Sequence, residues 1–513
     1  MAVDELGTRL VDPLLHWLEE DPARTFLRTP ERTWSYEELW AECRRIAGGL
    51  ESLGVAPGDR VALLLDNHAD FVATWFGTVH LGAVMVPVNT AFHGASLSYV
   101  LGQSGATTVV TEHQYLDRVD AVRAELPDLR TVVVRGGPAD APGHPMLTEL
   151  AGEPTARHGA GGDPAAIVYT SGTTGRSKGV VIPHRYYLQM ARTNGRAMRL
   201  TRDDVYYTCL PLFHGMAQLS GTMGPLLAGG QVVVVPRFSV SRFWTDCRDH
   251  AVTGFGAIAA MTSMLFKQAP DARDRDHRVR FAFAVAVPAS IEAAFERRFG
   301  VRLINGFGMT EAGQMTYMPY DAPRPGTCGK PVDLYQLEIH DPADHPLPPG
   351  EVGEIVVRPT APSVTMSGYH DMPEQTLSSW RNLWLHTGDL GRLDQDGYLY
   401  FVDRNKDAIR RRGENISSLE VEAALLQHDD ILEVAAYPVP SELGEDDVMV
   451  AVVSRPGLTA AGLWTHCRAV LPSFAVPRYV RFVDALPKTP TQKVEKYRLR
   501  AEAVTGDTAD ASG

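Results

Sequence analysis

The chain has 513 residues, is 44% hydrophobic and 22% charged, and carries a formal net charge of −13. That length exceeds one ordinary hydrophobic core and predicts roughly two to four domains. The acidic balance excludes nucleic acid and anionic membrane as main partners, because both require a basic face, while a local basic pocket can still take an anionic substrate. Five cysteines are scattered along the chain without a C-x-x-C spacing, which predicts reduced thiols in a cytoplasmic protein. The opening stretch "MAVDELGTRLVDPLLHWLEEDP" has no basic start and no apolar run, and nothing approaches the about 18 apolar residues of a membrane span.

Up to about residue 310, short β-rich runs alternate with helical patterns. "RVALLLDN" (60–67), "AVMVPVN" (83–89), "TTVVT" (107–111), "TVVVRG" (131–136), "AAIVYTSG" (165–172), "QVVVVPRF" (231–238), "FAFAVAV" (281–287) and "RLINGFG" (302–308) read as strands. Apolar runs separated by helices fit strands buried on both faces of mostly parallel sheets. Two Gly/Pro/Ala-rich stretches, 136–145 and 152–164, read as surface loops. From about 335, "YQLEIHD", "GEIVVRP" and "GYLYFVDR" alternate polar and apolar residues, as a small β-rich subdomain does. Beyond "VDRNKD" the pattern turns to α+β, with helices near 418–427 and 460–471 and strands near 432–437 and 448–453. The expected fold class is α/β: a large N-terminal domain of layered sheets with its β-rich subdomain (1–405), a small mobile α+β domain (406–502), and a disordered polar tail (503–513).

"YTSGTTGRSKGV" (169–180) follows a buried strand and packs Ser, Thr and Gly into a loop before presenting Lys178. Glycines let backbone N–H groups turn toward an anion, hydroxyls add donors, and a lysine adds charge, so the string reads as a phosphate cradle. The P-loop pattern G-x-x-x-x-G-K-[ST] cannot be laid over it. Lysine is rare here, at seven of 49 basic residues, yet three of the seven crowd into "PKTPTQKVEK" (487–496).

The phosphate string resembles the signature of the adenylate-forming superfamily, and the likeness continues in order. "YEEL" (36–39) and "GVAPGDRVALLLDN" (54–67) resemble its N-terminal region, "PLFHG" (211–215) the segment beside the acyl site, and "GFGMTE" (306–311) its adenine and magnesium signature. "LHTGDLG" (385–391), "DRNKDAIRRRGENISSLEVE" (403–422) and "PKTPTQKVEK" resemble its ribose, hinge and C-terminal lysine signatures. Among its branches the chain is similar to crotonobetaine/carnitine–CoA ligases.

The resemblance implies a two-step reaction: a carboxylate attacks the α-phosphorus of ATP to give an acyl-adenylate and pyrophosphate, and the thiol of coenzyme A then displaces AMP. It assigns ATP binding to Thr170, Ser171, Gly172, Thr173, Thr174, Gly175, Lys178, Asn305, Gly306, Phe307, Asp389 and Arg404, the last two at the ribose. Glu311 would place Mg²⁺, Thr310 would lie near the α-phosphate, and His214 would wall the acyl pocket with Val285, Ala286 and Val287. Lys406 is the implied hinge, and Arg412, Gly413 and Glu414 the implied coenzyme A face, with Arg410 and Arg411 as further candidates for its phosphates. Lys493 is the implied catalytic lysine, bridging the substrate carboxylate and the α-phosphate; a compact ammonium fits between two oxyanions where a planar guanidinium does not. Lys488 and Lys496 read as solvated.

The chain departs from the family on the acyl side. Val285, Ala286, Val287 and Pro288 replace a common G-G-A-P run, Ala259 stands for a usual proline, and Gln492 precedes the lysine where glycine is usual. Methyl groups in place of bare glycine narrow the acyl wall. A quaternary ammonium substrate would need an aromatic or acidic cage, and these wall residues do not supply one. The leading reading is a ligase of a small or medium organic acid with coenzyme A. A second keeps the adenylation and changes the partner: a carrier-protein thiol, an amine, or nitrite activated for diazotisation, as in antibiotic pathways. A third, a nucleotide-binding protein with dead chemistry, predicts damage at Lys493, Glu311 or Asp389, and all three are intact.

Overall fold

The structure, a computed structural model, describes residues 8–137, 143–155, 159–170, 177–285, 287, 289–404, 409–411, 414–441, 446–471, 473, 475–489 and 493–511. Within it the chain forms two compact units. The first holds the described residues up to 170, then 177–337 and 357–383; the second holds 338–356 and 384–511.

Two seven-stranded sheets organise the first unit. One runs Gly368–Tyr369, Gly179–Pro183, Pro164–Tyr169, Val84–Pro87, Arg60–Leu64, Ala106–Glu112, Thr131–Arg135. Its pairings from Pro164–Tyr169 to Thr131–Arg135 are parallel, and the two beyond Pro164–Tyr169 are antiparallel. The other runs Arg302–Ile304, Phe281–Val285, Gly254–Ile258, Val205–Thr208, Gln231–Val234, Thr25–Arg28, Thr33–Ser35, parallel except at the last strand. Val61, Ala62, Leu63 and Leu64 are all buried, as a parallel strand covered by helices on both faces requires.

Helix Tyr36–Ser52 starts at a capping box, Ser35 accepting from Glu38 N–H and Glu38 accepting from Ser35 N–H. It meets helix Ala69–His80 at Gly77, where a Cβ would lie 2.7 Å from the Cys43 carbonyl oxygen. The run expected over 302–308 leaves the sheet after Ile304, because Asn305 ties the chain to Thr327 and Gly308–Met309 pairs instead with Gly313–Gln314.

The second unit contains the antiparallel pair Trp384–Leu393 and Leu399–Arg404 and a four-stranded sheet of Ile431–Pro440, Asp446–Ser454, Tyr479–Phe482 and Ala509–Asp510. Alternation buries that sheet on both faces. Val434 and Ala436 join Val448, Val450 and Val452 in one core, while Ala435, Tyr437 and Val439 join Met449 and Ala451 in another.

One expectation needs correcting here. Residues 503–511 are not a disordered tail: Ala509–Asp510 pairs with Tyr479–Phe482, and Arg478 bridges Asp510 at 3.2 Å and Asp447 at 2.8 Å. Residues 384–404 are grouped compactly with those beyond 405, where Ser417 donates to the Val402 carbonyl at 2.7 Å and the Ser418 N–H to Asp403 at 2.6 Å.

Candidate active site

The phosphate string is the connection between two antiparallel strands, Pro164–Tyr169 and Gly179–Pro183. At its base the Thr170 N–H donates to the Lys178 carbonyl at 3.1 Å, which returns Lys178 to the sheet. Strand Gly368–Tyr369 pairs with the same return strand, Tyr369 opposite Val180. Tyr369 therefore stands beside Lys178, whose Nζ lies 4.3 Å from the centre of its ring. The Tyr369 hydroxyl in turn donates to Glu311 Oε1 at 2.8 Å. Burial, then the charge and hydrogen bond of Glu311, push the Tyr369 hydroxyl far up, so it stays a donor.

Glu311 is 6% exposed, on a loop that three tyrosines hold by their hydroxyls. Tyr186 donates to the Thr310 carbonyl at 3.0 Å, and Tyr335 lies 2.6 Å from the carbonyls of Ala312 and Val364. Gly313 has φ +63°, and a Cβ there would strike Met190; a Cβ at Gly306 would strike Gln314 and Thr316. Asn305 donates to the Thr327 carbonyl and accepts from Gly306 N–H, both at 3.0 Å, so its amide shapes this loop from within. Phe307 is buried, with its N–H on Thr316 Oγ1 at 3.0 Å.

Among the described residues, no group of three or more His, Cys, Asp or Glu side chains converges to hold a metal ion. One buried carboxylate is what magnesium needs when substrate phosphates and water complete its shell, and Glu311 fits that part.

On the acyl side, Asn67 fixes the segment that carries His214. It donates to the carbonyls of Leu210 at 2.9 Å and Val235 at 3.1 Å and accepts from Leu212 N–H at 2.7 Å. His214 packs on Phe213 with ring centres 4.6 Å apart, and leads into Gly215–Gln218 and the π-helical turn Leu219–Met223. Val285 ends its strand opposite Ile258, and Val287 is buried. Ala259 is the first residue of helix Ala259–Phe266, a position where proline's fixed φ and missing N–H are tolerated, which makes that departure mild. Sequence reasoning missed a set of polar atoms behind this segment. Tyr206 Oη, Thr208 Oγ1 and Asn194 Oδ1 are buried without a hydrogen-bond partner among the described residues. No motif flags them; only burial does.

In the second unit, Asp389 and Arg404 stand directly opposite each other on antiparallel strands. The turn before Asp389 is braced: Gly388 N–H and His386 Nδ1 meet the two Glu354 oxygens at 3.0 and 2.9 Å, and Thr387 donates to the Ile355 carbonyl at 2.7 Å. Lys493 is exposed on a narrow loop, with its N–H on Thr489 Oγ1 at 3.1 Å and its carbonyl accepting from Thr489 N–H at 2.7 Å.

Several expected residues change character. Lys488 and Lys496 are both ion-paired, Lys488 with Glu433 at 2.6 Å in partial contact with solvent and Lys496 with Glu422 at 2.7 Å largely out of it. Arg411 is a structural brace, on Asp447 at 3.0 Å and the Val476 carbonyl at 2.9 Å. Ser171, Gly172, Thr173, Thr174, Gly175, Ala286, Lys406, Arg412 and Gly413 lie outside the described residues, as do the side chains of Arg404, Arg410 and Glu414. A nucleophilic role is disfavoured for Cys209 and Cys467, whose thiols burial pushes up to about 12 and about 11. Among the described residues no helix is long and apolar enough to cross a membrane.

Comparison with known proteins follows this layout. A family model for "AMP-binding enzyme" matches residues 14–370, and one for "AMP-binding enzyme C-terminal domain" matches 420–493. A crotonobetaine/carnitine–CoA ligase of Salmonella paratyphi A is 34% identical over 484 residues, 91% of this chain and 93% of that protein. The anthranilate CoA ligase AuaEII, solved with anthranoyl-AMP, superposes with a TM-score of 0.88 at 26% identity, covering 98% of both chains. ATP-bound MatB of Rhodopseudomonas palustris superposes at 0.86 with 29% identity, covering 96% of this chain and 98% of its own.

Proposed function

The chain belongs to the AMP-binding enzyme family of ATP-dependent, AMP-forming acid–CoA ligases, and from that premise we propose that its own residues activate a small or medium organic acid and pass it to coenzyme A. The observation that carries this reading is the grouping of Lys178, Tyr369 and Glu311 at the base of the phosphate string.

In the first step a carboxylate oxygen bonds to the α-phosphorus and the bond to the β-phosphate oxygen breaks, releasing pyrophosphate. The barrier is repulsion between anions. Lys178 and the backbone and hydroxyl donors of 170–175 hold the β- and γ-phosphates, with Thr310 at the α-phosphate. Glu311, fixed by Tyr369, would hold Mg²⁺, which would supply charge neutralisation for the phosphates and the leaving pyrophosphate. Asp389 and Arg404 accept from and donate to the ribose hydroxyls, and Lys493 supplies an ammonium to the converging oxyanions. In the second step the coenzyme A sulfur bonds to the acyl carbon and AMP leaves, with Lys406 as hinge and Arg412, Gly413 and Glu414 on the thiol side.

The acid is held by His214, Val285 and the residues around Val287. Among the described residues of that wall, His214, Val285 and Val287 carry no carboxylate for a quaternary ammonium, so the substrate in the Salmonella relative's name is not carried over. Coenzyme A is favoured over a carrier-protein thiol because two of the relatives named above, the crotonobetaine/carnitine–CoA ligase and the anthranilate CoA ligase, are CoA ligases. A cytoplasmic location goes with ATP and coenzyme A as co-substrates. The test is acid-dependent ATP–pyrophosphate exchange without coenzyme A, across aliphatic and aromatic carboxylates and nitrite. Exchange with a carboxylate supports the reading; exchange with nitrite alone overturns it.

A further inference from the structure

The loop that carries Lys493 is held at both ends by lysine–glutamate pairs, and both pairs lead to one strand. Its stem is a short antiparallel ladder: Glu495 N–H donates to the Pro487 carbonyl at 2.8 Å, Lys488 bridges Val494, and Thr489 and Lys493 exchange hydrogen bonds. On the entering side Lys488 Nζ lies 2.6 Å from Glu433, on strand Ile431–Pro440. On the leaving side Lys496 Nζ lies 2.7 Å from Glu422 and 2.6 Å from Ser418 Oγ. Glu422 Oε1 also accepts from Ala436 N–H at 2.8 Å, on that same strand.

The two pairs differ in depth. Lys488 and Glu433 are 27% and 39% exposed, so solvent screens them and their attraction is weak. Lys496 and Glu422 are 12% and 15% exposed, and both are hydrogen-bonded to further groups. Breaking a buried pair from one side leaves an uncompensated charge, so the inner pair is the one whose loss must move the backbone around it. The network continues, because the Ser418 N–H donates to Asp403, the residue before Arg404.

We propose that Lys496 and Glu422 are positioning residues for the adenylation step: together with the outer pair they clamp residues 487–489 and 493–495 and fix where Lys493 projects. This rests on the role given to Lys493 above. In that role Lys493 serves adenylation alone, so the clamp affects one half-reaction and spares the other. A merely structural ion pair would lower both.

The test uses the full chain with Lys496→Met, Lys496→Arg and Glu422→Gln, and with Arg478→Met as a control that breaks a different ion-pair network of the same unit, to Asp447 and Asp510. Three readouts are taken: backbone hydrogen exchange, adenylation by pyrophosphate exchange with the best acid of the panel, and thioester formation from that acid's preformed adenylate and coenzyme A. The expected result is faster exchange confined to 487–495 in Lys496→Met and Glu422→Gln, adenylation at least tenfold slower, and thioester formation within twofold of the parent. Lys496→Arg recovers the greater part of the adenylation rate, and Arg478→Met leaves the ratio of the half-reactions unchanged. Unaltered adenylation, or an equal fall in both half-reactions, overturns the proposal. Should no acid support exchange in the parent, the functional reading fails, and hydrogen exchange still decides the clamp: unchanged protection at 487–495 overturns it.

Discussion

The Tyr369 hydroxyl donates to Glu311 Oε1 at 2.8 Å while the face of its ring receives the Lys178 ammonium at 4.3 Å. One side chain thus ties the lysine of the phosphate string to the buried carboxylate of "GFGMTE". Tyr369→Phe keeps the ring for Lys178 and removes only the donor to Glu311. A hydrogen bond to a charged group contributes about 1.5–3 kcal/mol, so kcat/KM for ATP falls about 10- to 100-fold, and the Mg²⁺ concentration for half-maximal rate rises. Steady-state titration of both, with an unchanged melting temperature as control, checks this.

In the role proposed for Lys493, Lys493→Ala removes a point charge from where the oxyanions would converge. By the scale of one lost oxyanion donor, about 2.7–4 kcal/mol, the adenylation rate drops about 10²- to 10³-fold. Thioester formation from preformed adenylate is retained. Single-turnover measurement of each half-reaction separates the two; an equal loss in both would remove Lys493 from its assigned step.

Glu354 accepts from both His386 and Gly388, and so sets the turn that presents Asp389. Glu354→Gln places an amide N–H against one of those two donors. The expected result is a several-fold higher KM for ATP, about 1 kcal/mol, with kcat at saturating ATP little changed. ATP titration of the variant beside Asp389→Asn checks it, because the two must act on the same parameter.

Two buried histidines predict how stability depends on pH. Burial is the first cause that lowers His184 and His80 from 6.5 to about 4, and the His184 Nδ1 accepts from the Leu10 N–H at 3.1 Å, which requires the neutral ring. The unfolded chain binds these protons below about pH 6.5 and the folded one only near 4, so stability is full above the unfolded value and is lost as pH falls through that window. For His184, 3% exposed, the loss amounts to about 3 kcal/mol. Thermal melts from pH 7 to 4 follow a slope approaching about two protons, and His80→Phe, which keeps the aromatic contact to Trp40, reduces it to about one.

The sheets were legible in the sequence where strands are long and apolar. Arg60–Leu64, Thr131–Arg135 and Phe281–Val285 match their runs closely, because strands buried on both faces need continuous Val, Leu and Phe. Thr25–Arg28 and Val205–Thr208, each four residues long, carry too little pattern to stand out. The candidate site followed the same rule: motifs pointed to Lys178, Glu311, Asp389 and Lys493, since the chemistry proposed for them imposes local spacing. The residues that brace them, Tyr369, Glu354 and Glu422, and Asn67, which braces the His214 segment, lie far along the chain from their partners. Tyr369 and Glu311 are 58 positions apart, and only the pairing of Gly368–Tyr369 with Gly179–Pro183 brings that ring to Lys178. The lysines beside Lys493 looked solvated because charge alone does not reveal a buried partner.

The most direct test of the acid–CoA ligase account is product identity in one reaction. The purified chain is given ATP, Mg²⁺, coenzyme A and the carboxylate that best supports pyrophosphate exchange, and the nucleotide and thioester products are separated. The account predicts AMP, pyrophosphate and acyl-CoA in equal amounts, with AMP release strongly accelerated by coenzyme A. Formation of ADP, or AMP release that ignores coenzyme A and leaves no thioester, would contradict it.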